Sequence, residues 1–331
     1  MRETIQNTNG KQFHAVSLSG GKDSTAMLLL MIEQDMPIDM VLSADTGMEF
    51  PEMYEHLAKL DEHLFRERGI HITTLRHPKG FEYLMFDEPK QKPRSLENRA
   101  RLGIPPYGNG WPGIRVRWCT GQLKTHLITK EVNRLKGELG AIHYVGIAAD
   151  EAWRCKDERY PLVEWGITEA QALQACYDRG FDFGGLYEIY HRASCWCCPF
   201  QRIDELRKLR KHHPELWEKL LELDRRALAQ FGTGPLGQFK QNWSVKRLDI
   251  AEIRHIWEHD DDTRKENGYR AKRWSDMKVT GNYILRGNNR KLAKKHGLPL
   301  QYDRLSLLAV SIFHLSHWRH DVTVANYLLA V

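Results

Sequence analysis

The hydrophobic run Val16-Ser17-Leu18 breaks into Ser19-Gly20-Gly21-Lys22-Asp23-Ser24 and resumes as the apolar stretch Thr25-Ala26-Met27-Leu28-Leu29-Leu30. A strand is turning into a helix over two glycines. The glycines let the backbone approach an anion, the first amides of the helix point at it with the positive end of the helix dipole behind them, and Lys22 adds a mobile charge. Such a turn is built to hold phosphate. It is not the Walker loop, which needs four residues between its glycines and a Lys-Ser/Thr ending.

The rest of the first half alternates strand and helix patterns. Phe13 to Leu18, Ile38 to Ser43, Ile70 to Leu75 and Ile142 to Ile147 are short β-rich runs, separated by helical stretches such as Thr25 to Gln34 and Pro51 to Arg68. This order predicts an α/β fold with a parallel sheet covered on both faces, and ligands in such sheets bind outside the carboxyl ends of the strands. Three of those ends carry unusual chemistry: the glycine loop, the stretch from Ser43 through Asp45, Thr46 and Glu49 to Pro51, and the stretch from Gly146 through Asp150 and Glu151 to Arg154. At 331 residues, 41% of them hydrophobic, the chain is long enough for two domains or for one with an extension. Its longest apolar run, Ala26 to Ile32, falls far short of the ~20 residues of a membrane helix, and Met1 to Asn7 lacks the apolar centre of a signal peptide. The expected compartment is the cytoplasm, with no membrane partner.

Ser-Gly-Gly-Lys-Asp-Ser resembles the pyrophosphate loop of the ATP-pyrophosphatase (PP-loop) superfamily. Asp45-Thr46-Gly47-Met48-Glu49-Phe50-Pro51, Arg117-Trp118-Cys119-Thr120 followed by Leu123-Lys124, and Cys195-Trp196-Cys197-Cys198-Pro199 narrow the resemblance to its phosphoadenosine phosphosulfate (PAPS) reductase-like branch, over roughly residues 10 to 235. The resemblance implies an adenine nucleotide alpha-hydrolase-like (HUP-type) domain over 1–235; it runs out beyond that, where charge and apolar spacing read as a basic helical C-terminal extension over 236–331. It also implies ATP as ligand, with Ser19, Gly20, Gly21, Lys22, Asp23 and Ser24 on its phosphates and Asp45 and Thr46 near its nucleoside. Lys22 and Asp23 become the catalytic candidates, Asp23 with Mg²⁺. Arg117, Lys124 and Arg154 would face anionic substrate groups.

Two features separate the chain from the reductases of that branch. Their phosphate loop is degenerate, since an activated substrate needs no pyrophosphate release, whereas this loop is intact. They also carry a nucleophilic cysteine near the C-terminus, and no cysteine follows Cys198 here. The expected activity is therefore formation of AMP and pyrophosphate from ATP to activate a substrate for sulfur transfer, with a nucleic acid as one candidate acceptor and a sulfur-donor or operon protein as a candidate partner. Reduction or transfer of sulfate from PAPS or adenylyl sulfate is the enzyme alternative. A nucleotide-sensing DNA-binding regulator without turnover is the alternative from another class.

Six cysteines in a reducing compartment read as metal ligands or reactive thiols when they cluster. Cys195 and Cys198 form a Cys-x-x-Cys pair, with Cys119 and Cys176 as candidates to complete a four-ligand site. Four thiolates suit an iron-sulfur cluster or tetrahedral zinc, and the branch favours iron-sulfur.

Beyond the cysteines, Gln201 to Phe231 reads as helix and Thr233 to Gly237 as a break. From Arg264 to Lys295, eleven Lys/Arg face only Glu266 and Asp276, a local excess of nine against +6 for the whole chain. Residues 264–295 thus read as a footprint for a nucleic acid, with a solvated basic face as the plainer alternative. Leu305 to Leu329 has the apolar spacing of an amphipathic helix followed by a second one, and its His314, His317 and His320 read as capping or surface histidines.

Overall fold

β1 (Phe13–Ser17), β2 (Met40–Asp45), β3 (Ile72–Arg76) and β4 (Ala141–Val145) form one parallel sheet in the order β3-β2-β1-β4 in a computed structural model. The structure describes residues 12–114, 116–135, 140–193, 195–241, 247–256 and 258, with the short pairs 283–284 and 301–302. Ala15 and Val16 on β1 and Val41 and Leu42 on β2 are fully buried, as central parallel strands covered on both faces require. β2 runs two residues past its predicted end because Asp45 pairs with Arg76 across the register and also accepts a hydrogen bond from its guanidinium at 2.6 Å.

The chain reaches β2 and β3 by two steps in one direction and then returns across the sheet to β4. Right-handed crossovers put α1 (Lys22–Glu33) and α2 (Pro51–Arg68) on one face and the return helix His126–Leu135 on the other, where it touches all four strands. Strand order reverses between β1 and β4, which is where an open α/β sheet forms its ligand crevice. α1 is buried nearly all round, from Ser24 to Met31, because helix Glu169–Tyr177 packs over it. α2 starts on Pro51 and ends at Gly69, whose φ of 67° supplies the left-handed cap.

The predicted helix from Gln201 to Phe231 is two helices, Ile203–His212 and Pro214–Phe231. Pro214 excludes His213 from helical geometry, and His213 takes φ −134° and ψ 64°. The first compact unit extends to Trp257, and the second comprises Glu258–Val331. Residues past Gly237 belong to the first unit's core: Phe239, Leu248, Ile250 and Ile253 are buried there. The Asp224 carboxylate fastens them by accepting the Trp111 indole N–H at 3.2 Å and the Ile250 amide at 2.9 Å. In the second unit, Tyr283–Ile284 pairs antiparallel with Gln301–Tyr302. The basic stretch 264–295, apart from that pair, and the helical pattern from Leu305 to Leu329 lie outside the described residues. Among the described residues, no helix is long and apolar enough to cross a membrane.

The sheet's exit at Gly146 sets the position of the phosphate loop. A Cβ on Gly146 would stand 2.6 Å from Ser24 Cα, 2.7 Å from Ser24 N and 2.9 Å from Asp23 C, all backbone atoms that have no rotamer with which to give way. Gly146→Ala should therefore push the first turn of α1 outward and lower stability by about 1–3 kcal/mol, as overpacking does. Urea denaturation checks this, and a melt identical to that of the parent would show that the first turn yields freely.

Candidate functional site

Ser19 to Ser24 span the exit of β1 and the first turn of α1. Gly20 holds a φ of 78°, and a Cβ there would lie 2.9 Å from Met53 Cε on α2. Two hydroxyls brace the turn: Ser24 Oγ accepts the Ser19 amide at 3.1 Å, lies 2.9 Å from Ser19 Oγ and donates to the Gly21 carbonyl at 3.1 Å. One layer below, Thr25 Oγ1 lies 3.1 Å from His56 Nε2, and burial lowers the His56 pKa to about 4, so that imidazole is neutral.

The binding groups of the loop are already engaged. The Lys22 ammonium donates to Glu169 Oε2 at 2.8 Å, with Asp23 Oδ2 at 3.9 Å, and the Lys22 amide donates to the Tyr187 hydroxyl at 2.9 Å. Asp23 is the exception. Its Oδ1 is buried with no hydrogen-bond partner among the described residues. Burial raises its pKa to about 6, Lys22 opposes the shift, and Glu169, Glu151 and Asp150 add to it. Asp150, in the loop leaving β4, accepts the Glu169 amide at 3.1 Å, so the acidic loop after β4 and the start of helix Glu169–Tyr177 meet beside Asp23.

The loop after β2 is organised by its own carboxylates. Asp45 accepts the Gly47 amide at 2.7 Å, the Tyr54 hydroxyl at 2.9 Å and the Arg76 guanidinium at 2.6 Å. Burial opposes its ionisation, but these three donors outweigh burial and hold Asp45 below the usual carboxylate range. Ser19, Asp45, Glu49, Tyr54 and Arg76 line a cleft of ≈ 250 Å³ at the carboxyl ends of the strands. Thr46 turns inward: its hydroxyl donates to the Glu49 carboxylate at 2.9 Å and lies 3.7 Å from Cys195 Sγ.

Glu49 joins the cleft to the cysteines. Its Oε1 accepts from Lys124 Nζ at 3.2 Å and from Cys195 Sγ at 3.6 Å. Burial works against the Lys124 ammonium, yet Cys195 and Glu49 together keep its pKa above the ordinary lysine value. Burial pushes the Cys195 thiol up to about 12, with Lys124 opposing, and it raises Cys197 and Cys119 as well. Cys119, Cys195, Cys197 and Cys198 lie within electrostatic reach of one another. Cys176 does not join them. It is buried beneath the phosphate loop, its Sγ donating to the Lys22 carbonyl at 3.5 Å, because helix Glu169–Tyr177 carries it against α1. Among the described residues, no three or more His, Cys, Asp or Glu side chains are arranged to hold a metal ion.

The three predicted anion-binding residues are likewise divided. Arg154 pairs with Glu151 beside the phosphate loop, whereas Lys124 and Arg117 stand by the cysteines, Arg117 with its guanidinium 4.9 Å from the Phe200 ring centre.

Residues 14–95 match the phosphoadenosine phosphosulfate reductase domain family. The match spans the glycine loop, β2, α2 and β3, and over these residues the chain is similar to that family. Two uncharacterised proteins of Methanocaldococcus jannaschii are similar to it, at 26% identity over 227 residues and 23% over 248, covering 62% and 73% of this chain. The chain spans only 40% and 54% of their lengths. Among solved structures, the U34-tRNA thiolase NcsA from Methanococcus maripaludis with its 4Fe-4S cluster shows 14% identity over 67% of this chain and 75% of that one. Its TM-score of 0.31 is too low to align individual residues.

Glu49, Tyr54, Glu169 and Tyr187 were not among the sequence-based candidates. Glu49 stood in the quoted motif but without a role, and Glu169 and Tyr187 follow the loop by 147 and 165 positions with no motif around them. Glu49→Ala should strand the Lys124 ammonium and the Thr46 amide that now use this carboxylate, while the Met48 amide keeps the Thr46 hydroxyl. Losing a charge-assisted contact of this kind costs about 1.5–3 kcal/mol, reduced by the solvent that reaches Lys124. Chemical denaturation of the variant against Glu49→Gln, which keeps one acceptor, should rank the parent first, Gln second and Ala last.

Proposed function

We propose that this PP-loop domain binds ATP with Mg²⁺ along the carboxyl edge of the sheet and breaks it between the α and β phosphates, so that an acceptor oxygen is adenylated and pyrophosphate leaves. The observation that carries this reading is the intact Ser19–Ser24 loop, opening α1 at the point where strand order reverses, with Lys22 and a partnerless Asp23 oxygen side by side. Loop amides and the Lys22 ammonium stabilise charge as it develops on the departing pyrophosphate. The orphaned Asp23 Oδ1 suits Mg²⁺, which supplies Lewis-acid stabilisation of phosphate charge when bound. Asp45 and Tyr54 shape the nucleoside end of the cleft. A sulfur nucleophile would then displace AMP from the activated acceptor.

The donor set beside Glu49 fits a thiolate-bound metal in kind. Cys119, Cys195, Cys197 and Cys198 influence one another electrostatically, Cys197 buried and the other three half-buried, with Lys124 available to balance thiolate charge. Cys119, Cys195, Cys197 and Cys198 would hold an iron-sulfur cluster there, giving the protein a soft centre suited to sulfur. Cys176 is left out of this proposed set because its Sγ donates to the Lys22 carbonyl.

With radiolabelled ATP and candidate acceptors, the labelled product should be AMP together with pyrophosphate, and Lys22→Ala should slow its formation roughly 10²-fold or more, the scale of losing one preorganised charge. ADP and phosphate as products would overturn the assignment. Protein purified without oxygen should contain iron and acid-labile sulfide. Cys195→Ser and Cys198→Ser should lose both and Cys176→Ser should keep both, whereas zinc without sulfide would make the centre structural.

A further inference from the structure

We infer that Glu169 makes this site select cation-loaded triphosphate over bare polyphosphate. The inference rests on the nucleotide reading above and adds a residue and a specificity to it. Lys22 already has partners within the protein: its ammonium is in contact with Glu169 at 2.8 Å, and its amide is covered by the Tyr187 hydroxyl. A phosphate group that takes Lys22 must therefore displace Glu169 from its counter-ion.

The backbone that carries the displaced carboxylate is held in place. Helix Glu169–Tyr177 is fixed at its start by the reciprocal Thr168–Gln171 cap, and the Glu169 amide is held by Asp150. Freed from Lys22, Glu169 remains at the loop together with Asp23 and Asp150. Glu151 is already paired with Arg154. Among the described residues, Lys22 is the one cation that these carboxylates contact at the loop. An anion arriving alone would spend that cation and then face three carboxylates. One arriving with a divalent cation brings the compensating charge with it. Lys22 thus changes partners without leaving net negative charge stranded in a partly buried place, where like charges repel strongly.

Calorimetric titration of the full chain with ATP plus Mg²⁺, ATP plus EDTA and pyrophosphate plus EDTA tests the inference. The parent should bind magnesium-loaded ATP roughly tenfold or more tighter than either bare anion, and Glu169→Gln should shrink that ratio roughly fivefold or more by strengthening the bare anions. Glu169→Asp, which keeps the charge, should retain the ratio. A purely structural role would weaken all three ligands alike and leave the ratio unchanged, which would overturn the inference, as would weaker binding of bare anions to Glu169→Gln. Failure of the parent to bind any of the three would overturn both the nucleotide reading and the selection. Binding of magnesium-loaded ATP with an unaltered ratio in Glu169→Gln would remove only the selection.

Discussion

Everything at the ligand edge depends on how closely two stretches of backbone approach. Where β4 ends, Gly146 lies against Asp23 and Ser24 with no room for a single carbon. The contact fixes the first turn of α1 against the neighbouring strand's exit, so the loop after β4 must deliver Asp150, Glu151 and Arg154 beside the phosphate loop. On the other side, Gly20 lies against Met53 and Thr25 reaches His56, which fasten the same turn to α2. Three strand ends are thereby locked to one helix terminus. The helix dipole then has a fixed direction, which favours an anion at this helix terminus.

Electrostatics at the site follow one rule with one exception. Lys22 has Glu169, Lys124 has Glu49, Arg76 has Asp45 and Arg154 has Glu151. Each partly buried charge is matched inside the protein, as desolvation demands. The unmatched atom is Asp23 Oδ1. Because burial and three neighbouring carboxylates push its proton affinity upward, a positive ligand at Asp23 relieves a cost that the folded chain otherwise carries. The exception coincides with the loop that sequence pattern alone had marked.

The sequence revealed local features and hid distant ones. The four strands, the glycine loop and α2 with its Pro51 start all follow from periodicity and from residues whose conformational preferences act over a few positions. Glu169 and Tyr187 do not, since their roles arise only when helix Glu169–Tyr177 and the segment after it fold over α1, and an ordinary glutamate and tyrosine carry no local mark. Cys176 shows the converse. Counting cysteines grouped it with a metal site, whereas its helix faces α1 and turns the thiol to the Lys22 carbonyl. A ligand count has no direction, and only packing supplies one. Pro214 did announce the break in the long helix, but leucine spacing runs through it without a change of phase, so the stronger pattern masked it.

The loop from Asp45 to Phe50 connects the two halves of the chemistry. Its outer carboxylate, Asp45, is saturated by Gly47, Tyr54 and Arg76 and forms a wall of the cleft. Its inner carboxylate, Glu49, lines the same cleft and also accepts from Lys124 and the Cys195 thiol, while the Met48 carbonyl accepts the Trp196 amide at 3.0 Å. The loop is short, and α2 begins immediately after it at Pro51, so neither carboxylate can shift without pulling on the other through a few bonds. A nucleotide in the cleft and a metal among the thiols would therefore share one wall. That shared wall gives a physical reason for the Asp-Thr-Gly-x-Glu-Phe-Pro stretch and the cysteine pair to occur in the same chain: the first is the surface on which the second is mounted.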